Sequence, residues 1–225
     1  MNYRCHKLWT LLECLFVLIL LLNCAGAATW TVGPSPGPGI DYTKIQAAIN
    51  AAAAGDTILV HSGTYNENVN VNKTITLRGV DMPVVDAGTS GSAIILSANG
   101  CKLEGFKVKK AGPPNAGIKV ISSYNTISGN NALDDNYRGI YLTNCGYNTI
   151  SGNNAKGYHI SIYLDSSGNN IISGNTAISA GGIWSGIYLT SSSNNIISGN
   201  TATGMSFCGI GITSSSDSNI ISGNT

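Results

Sequence analysis

The sequence predicts an all-β solenoid, a parallel β-helix with coils of about 22–26 residues, covered at its N-terminal end by an amphipathic helix. Three observations predict it. The phrase NTISGN at Asn125–Asn130 returns in close variants, with its central isoleucine at Ile127, Ile150, Ile172, Ile197 and Ile221, in steps of 23, 22, 25 and 24 residues. A second phrase keeps the same beat at Gly139-Ile140-Tyr141-Leu142, Ser161-Ile162-Tyr163-Leu164, Gly186-Ile187-Tyr188-Leu189 and Gly209-Ile210-Gly211-Ile212. Only 10% of residues are charged, while Gly, Asn, Ser, Thr and Ile dominate, which is the mixture of short strands and tight turns.

From the N-terminus, residues 1–27 read as a signal peptide, or as an anchor if uncleaved. Arg4, His6 and Lys7 precede the apolar run Cys14 to Leu22, and Ala25-Gly26-Ala27 supplies the small residues of a cleavage site. Export is therefore expected, with any membrane contact confined to an uncleaved leader. Residues 28–55 hold a first strand, a Pro/Gly loop from Gly33 to Gly39, and a helix from Thr43 to Ala54. Ile45, Ala48, Ile49 and Ala52 share one face of that helix, Thr43 and Gln46 form a capping box, and Gly55 ends it. Its expected role is to cover the first coil, whose strand edges would otherwise invite aggregation.

Residues 56–225 are the repeats, with about seven coils in the whole solenoid. Drifted copies reach upstream, since Ala93–Leu96 and Leu103–Gly105 overlay Gly117–Val120 and Ile127–Gly129 at a constant offset of 24, and Ile75–Gly79 is an earlier version. Two strands per coil are expected. Alternation points Ile140, Leu142 and Ile127 inward and Tyr141 outward, and Gly129 provides the turn. Asn125, Asn148, Asn170, Asn195 and Asn219 should stack in one ladder, and Asn130, Asn153, Asn175, Asn200 and Asn224 in another, each amide bonding to the coils above and below. The chain stops inside a repeat, which suggests truncation, the end packing against further repeats or another subunit.

Without the leader, which carries Arg4, Lys7 and Glu13, ten basic and ten acidic residues remain, for a formal charge of zero. The three lysines Lys107, Lys109 and Lys110 are too few to indicate nucleic acid as a partner. Cys101, Cys145 and Cys208 have no motif spacing and read as single thiols.

Two outward columns are candidate binding surfaces. Tyr141, Tyr163 and Tyr188, with Lys119 before and Gly211 after, fall on adjacent coils and suit contact with sugar rings. Tyrosine equally suits a half-exposed strand. Tyr137, His159, Trp184 and Phe207 form a second column in the most variable part of the coil, where function usually sits on a rigid scaffold. Tyr137 and Trp184 join the three tyrosines as expected ligand contacts. A catalytic reading would use Asp134, Asp135, Arg138, His159 and Asp165 as a groove of acids, base and arginine. No spacing ties these into one catalytic unit, so binding without catalysis is the preferred reading.

The stretch Ile45–Ile49 through GDTILVHSGTYNENVNVNKTITLRGV (Gly55–Val80), followed by ISGN repeats, resembles the NosD-like right-handed β-helix family. That family belongs to a pectin-lyase-like group of carbohydrate-binding and sugar-hydrolase β-helices found among exported and surface proteins of archaea and bacteria. The resemblance implies a right-handed coil and a polysaccharide or cell-envelope glycan as partner, with a purely structural rod or adhesin as the alternative to a binder or a lyase, hydrolase or epimerase. The family's name comes from periplasmic proteins that help supply copper to nitrous oxide reductase. Here His61, His159, Met82, Met205 and the three cysteines fall in different coils or columns, so no metal site and no cofactor are expected. The opening coils also resemble those of pectin methylesterases at Gly63, Tyr65 and Glu67, but the Asp-bearing signature of that chemistry is absent downstream.

Overall fold

The computed structural model describes residues 26–134, 137–181, 185–206 and 208–225, with the backbone alone for Asp134. The leader up to Ala25, and with it the cleavage site's first residue, lies outside the described residues.

The chain winds into three parallel sheets. One coil shows the plan: Thr126–Ser128 belongs to the first sheet (sheet A), Asn131–Asp134 to the second (sheet B) and Arg138–Thr143 to the third (sheet C). Sheet A has nine strands, and sheets B and C have seven each. Register is kept along sheets A and C, with a shift in sheet B between Ala132 and Asp134: Ile127, Ile150, Ile172, Ile197 and Ile221 lie on successive strands of sheet A. Ile140, Ile162, Ile187 and Ile210 do so in sheet C.

Each coil thus has three strands, where the sequence phrases indicated two. The additional one carries Ala132, Ala155, Ala177 and Ala202 inward in register. A lone small inward alanine, flanked outward by Asn, Lys or Thr and in two coils by Leu133 or Ile178, gives almost no alternating hydrophobic contrast, so the strand is silent in sequence. The isoleucines, leucines and alanines of the three inner faces form one core, with Ile127, Ile150, Leu142, Leu164 and Ala155 fully buried.

The corner between sheets A and B is a tight turn. Gly129, Gly152, Gly174 and Gly199 sit there at φ of 61 to 62°, with open space where a Cβ would lie. The requirement is conformational rather than steric, because the left-handed region disfavours side chains even where there is room.

Both asparagine ladders form. In one, Asn125 Nδ2 donates to Asn148 Oδ1 at 2.9 Å, and Asn148, Asn170 and Asn195 each donate to the next at 3.1 Å. In the other, Asn130, Asn153, Asn175 and Asn200 donate onward at 3.0, 3.0, 3.0 and 2.9 Å. Each acceptor oxygen also takes the backbone N–H of the asparagine above it, as Asn153 Oδ1 does from Asn130 at 2.9 Å. These side chains are buried, so an orphaned amide here would cost about 1–3 kcal/mol.

At the N-terminal end the helix spans Ile45–Ala51, shorter than expected, with Ile45, Ala48 and Ile49 buried against the first coils. The capping box does not form. The N-cap is Lys44, which makes no side-chain capping bond, and the helix ends at Ala52 rather than Gly55. The capping carboxylate comes from elsewhere: Glu67 accepts the N–H groups of Ile45 and Gln46 at 2.9 and 3.1 Å. Tyr65 is buried and donates its hydroxyl to His61 O at 2.8 Å, while Gly63 lets the chain pass against Pro34. The methylesterase-like Gly63, Tyr65 and Glu67 are therefore structural in this chain. Asp56 ties the same region together, accepting from Ala28 N at 2.8 Å, Trp30 Nε1 at 2.9 Å and Ala53 N at 2.8 Å.

Cys101 and Cys145 are buried free thiols and Cys208 is an exposed one.

Candidate functional site

The outer face of sheet C carries the tyrosine column. Lys119, Tyr141, Tyr163, Tyr188 and Gly211 pair in register along five coils. The rings of Tyr141 and Tyr163 stack, with centroids 5.1 Å apart and planes 7° from parallel. Tyr188 tilts 35° from Tyr163. The reason is Gly211, above whose Cα the Tyr188 ring leans so closely that a Cβ would meet Tyr188 Cδ2 at 2.7 Å. Stacking hides the inner ring faces, and all three tyrosines are half-buried. The column therefore presents ring edges and hydroxyls as well as the tilted face of Tyr188.

Arg138 opens its strand beside this column. Its guanidinium carbon lies 4.6 Å from the Tyr141 ring centre, 5.1 Å from Tyr163 and 5.3 Å from Tyr137. One terminal nitrogen donates to Pro114 O at 2.6 Å. Among the described residues its Nε is buried without a hydrogen-bond partner, and no carboxylate forms an ion pair with it. Aromatic faces favour a planar cation but do not neutralise it.

His159 stacks on Tyr137 at 4.8 Å and 19°. Burial, together with the neighbouring Arg138 charge, lowers its pKa, so the ring is neutral at pH 7. Burial pushes the Tyr163 hydroxyl up to about 12, helped by Asp165, and raises Tyr141 in the same direction. Tyr141 and Tyr163 thus remain proton donors at neutral pH. Tyr141 donates to Asp165 Oδ2 at 3.0 Å, and Tyr188 shares a 2.9 Å bond with Thr213 Oγ1.

Of the residues singled out as catalytic candidates, the structure brings Arg138 and His159 together through Tyr137. Asp165 sits at the far end of the neighbouring strand, in register with Thr143, and is engaged by Tyr141 and Ser166. Asp135, Trp184, Phe207 and the side chain of Asp134 lie outside the described residues. Tyr137 lines a groove of about 320 Å³ with Lys110, Pro113 and the exposed Tyr158. Lys110 is itself paired with Asp86 at 3.1 Å. Tyr158 has no counterpart in the repeat phrases to mark it in the sequence, although it directly precedes His159.

This fold and face define a class: a pectate-lyase-like right-handed parallel β-helix with an aromatic and arginine cluster on one sheet. The chain belongs to the NosD family, described as periplasmic copper-binding protein (NosD), whose model matches residues 49–225. It is 36% identical over 101 residues to a cell surface glycoprotein of Methanothermus fervidus, a match covering 44% of this chain and 16% of the glycoprotein. Solved structures of similar shape include pectate lyase Pel9A, with TM-score 0.67 and 17% identity over 80% of this chain and 55% of that one. A GH136 lacto-N-biosidase from Eubacterium ramulus matches with TM-score 0.60 and 14% identity over 91% and 48%. A pectin methylesterase in complex with a hexasaccharide matches with TM-score 0.56 and 13% identity over 76% and 70%. These identities speak for the fold alone.

The family's description raises copper, and the His, Cys, Asp and Glu side chains among the described residues do not form a set that fits it. Among the described residues no three of His, Cys, Asp or Glu converge. Cys101 and Cys145 are buried beside backbone carbonyls, where burial raises both thiol pKa values and disfavours the thiolate that a metal takes.

Proposed function

We propose that this protein is an exported, cell-surface β-helix module that binds a polysaccharide without cleaving it, using Tyr141, Tyr163, Tyr188, Tyr137 and Arg138. One observation carries the reading. A half-buried arginine is held among three tyrosine rings with no carboxylate partner among the described residues, beside hydroxyls that are protonated at neutral pH. Such a cation matches the carboxylate of an acidic sugar, and the tyrosine edges and hydroxyls match its ring and hydroxyl groups. Export is supported by the family's periplasmic description and by the surface glycoprotein among its relatives. Against catalysis stands the commitment of Asp165 to the hydroxyls of Tyr141 and Ser166.

The test is a panel of acidic and neutral polysaccharides in which binding and product release are read from the same samples. The expected result is binding of an acidic polymer, weakened by salt, abolished by the Tyr141→Ala/Tyr163→Ala/Tyr188→Ala variant and by Arg138→Gln, with no new reducing or unsaturated ends. Product release would replace the binder with an enzyme. Binding unchanged in both variants would remove this face from the account.

A further inference from the structure

A column of left-handed backbone runs down the corner joining sheet C to sheet A. Its members, one per coil, are Gly100, Tyr124, Tyr147, Asn169, Asn194 and Ser218, with φ of 70, 64, 59, 59, 60 and 55°. From Tyr124 on, each directly precedes a member of the Asn125 ladder, so the column is in register. Glycine and asparagine are the residues that tolerate this conformation, and a bulky aromatic residue there is an outlier. Two tyrosines on adjacent coils hold it.

Packing into the core does not explain them. Tyr124 and Tyr147 are 63% and 56% exposed. Their rings stack with centroids 5.0 Å apart and planes 6° from parallel. The coil above contributes Gly100, so no side chain of the column lies over the outer face of Tyr124. Nearby stand exposed Asn99, half-buried Ser123 and exposed Ile121. None of the described ion pairs or cation–π contacts involves either ring. Strain held at exposed positions, where the coils below use asparagine, points to a surface kept for contact.

We infer that Tyr124 and Tyr147 form a second binding shelf, for an uncharged sugar ring of a neutral glycan, laid on the open face of Tyr124 beneath Gly100. An aromatic face bordered by amide and hydroxyl groups, with no described cation over either ring, suits the apolar face and hydroxyl rim of a neutral pyranose. The shelf lies around the corner from the Arg138 cluster and stands whether or not that cluster holds an acidic polymer.

The test titrates the full chain with cellohexaose, mannohexaose and chitohexaose by calorimetry. At least one is expected to bind, roughly tenfold more weakly in Tyr124→Asn/Tyr147→Asn, since truncating a contact tyrosine commonly has an effect of that size. Affinity should be unchanged in the Tyr141→Ala/Tyr163→Ala/Tyr188→Ala variant, which separates this shelf from the face on sheet C. The melting temperature of the asparagine variant should hold or rise, because asparagine is what the same corner uses at Asn169 and Asn194. No binding of any of the three probes, equal affinity in the asparagine variant, or a clear fall in its melting temperature would each overturn the inference. So would a concentration-dependent dimer in sedimentation that the asparagine variant loses, which would assign the pair to self-association.

Discussion

The asparagine ladders and the tyrosine column are both stacks of one residue type, repeated in register on neighbouring coils, yet they do opposite things. In the ladders the members from Asn125 to Asn195 and from Asn130 to Asn200 are buried and bonded to the coil above and the coil below, in the same way each time. In the column no two members have the same surroundings. Lys119 stands 5.8 Å from the Tyr141 ring, Tyr163 is stacked, Tyr188 is tilted over Gly211, and Arg138 lies against one end. Repetition by itself therefore says little about function. What distinguishes the column is the loss of equivalence among its members and a charge with no counter-ion among the described residues.

The largest effect expected is on the ladder. Asn153→Ala strips partners from Asn130 N and Nδ2, Ile127 O, Ser151 O and Asn175 Oδ1 at once. It should lower stability by about 3 kcal/mol, measured by urea unfolding, because five hydrogen bonds of this buried side chain go at once and Asn130 N loses its acceptor, while Asn130 Nδ2 keeps Leu103 O and Ser128 O and Asn175 Oδ1 keeps Asn153 N. A loss below about 1 kcal/mol would mean that water replaces the side chain and that the ladder is not the main tie between coils.

Tyr163→Ala should cost less, about 1–2 kcal/mol for a half-buried stacked ring, while removing binding to the acidic polymer. If stability falls as far as in Asn153→Ala, the column is structural after all and the contrast fails.

Alkali should tell the two stacks apart. Tyr163 has its pKa raised to about 12 in the folded chain, against about 10 when unfolded, so its protonated form is favoured by folding. That contribution is complete below about pH 10 and is lost as the pH climbs towards 12, whereas asparagine does not titrate. Melting temperatures across this range should fall, and Tyr163→Phe should blunt the fall.

Acid should act at the N-terminal coils instead. Asp56 is held below the usual carboxylate range, first by the Trp30 N–H and then by the backbone of Ala53 and Ala28. Burial works to raise the pKa of Asp86, but the Gly88 N–H, Lys110 and Lys109 hold it low. Both contributions are present above about pH 4 and disappear as the pH drops through the lowered values. The melting temperature should decline there, and less steeply in Asp56→Asn.

The smallest effect is at the column's lower end. Gly211→Ala should displace the Tyr188 ring at a stability loss of about 1 kcal/mol. Acidic-polymer affinity should change only if the tilt of Tyr188 matters, which a titration would read directly.

Repetition made much of this legible in advance. The isoleucine phrases, both ladders and the inward and outward sense of Ile140, Tyr141 and Leu142 follow from spacing, because a stack of equal coils places equal residues above one another. The third strand was not legible, since Ala132 and Ala155 carry little contrast. The helix cap is not legible for a different reason: Thr43 and Gln46 offer a local pattern, but Glu67, 22 residues from Ile45, supplies the capping carboxylate. The Tyr124 and Tyr147 pair left a trace, each tyrosine directly preceding a ladder asparagine, but its backbone strain has no signature in sequence.

Coil length, register and the composition of the core follow from the sequence alone, because these are one-dimensional properties that a repeat carries from coil to coil. The tertiary structure decided which departures from the repeat meet. Arg138 reaches Tyr137, Tyr141 and Tyr163, Glu67 reaches the helix, and Gly211 receives Tyr188, through side-chain directions and distances that depend on the corners of the coil and not on its period.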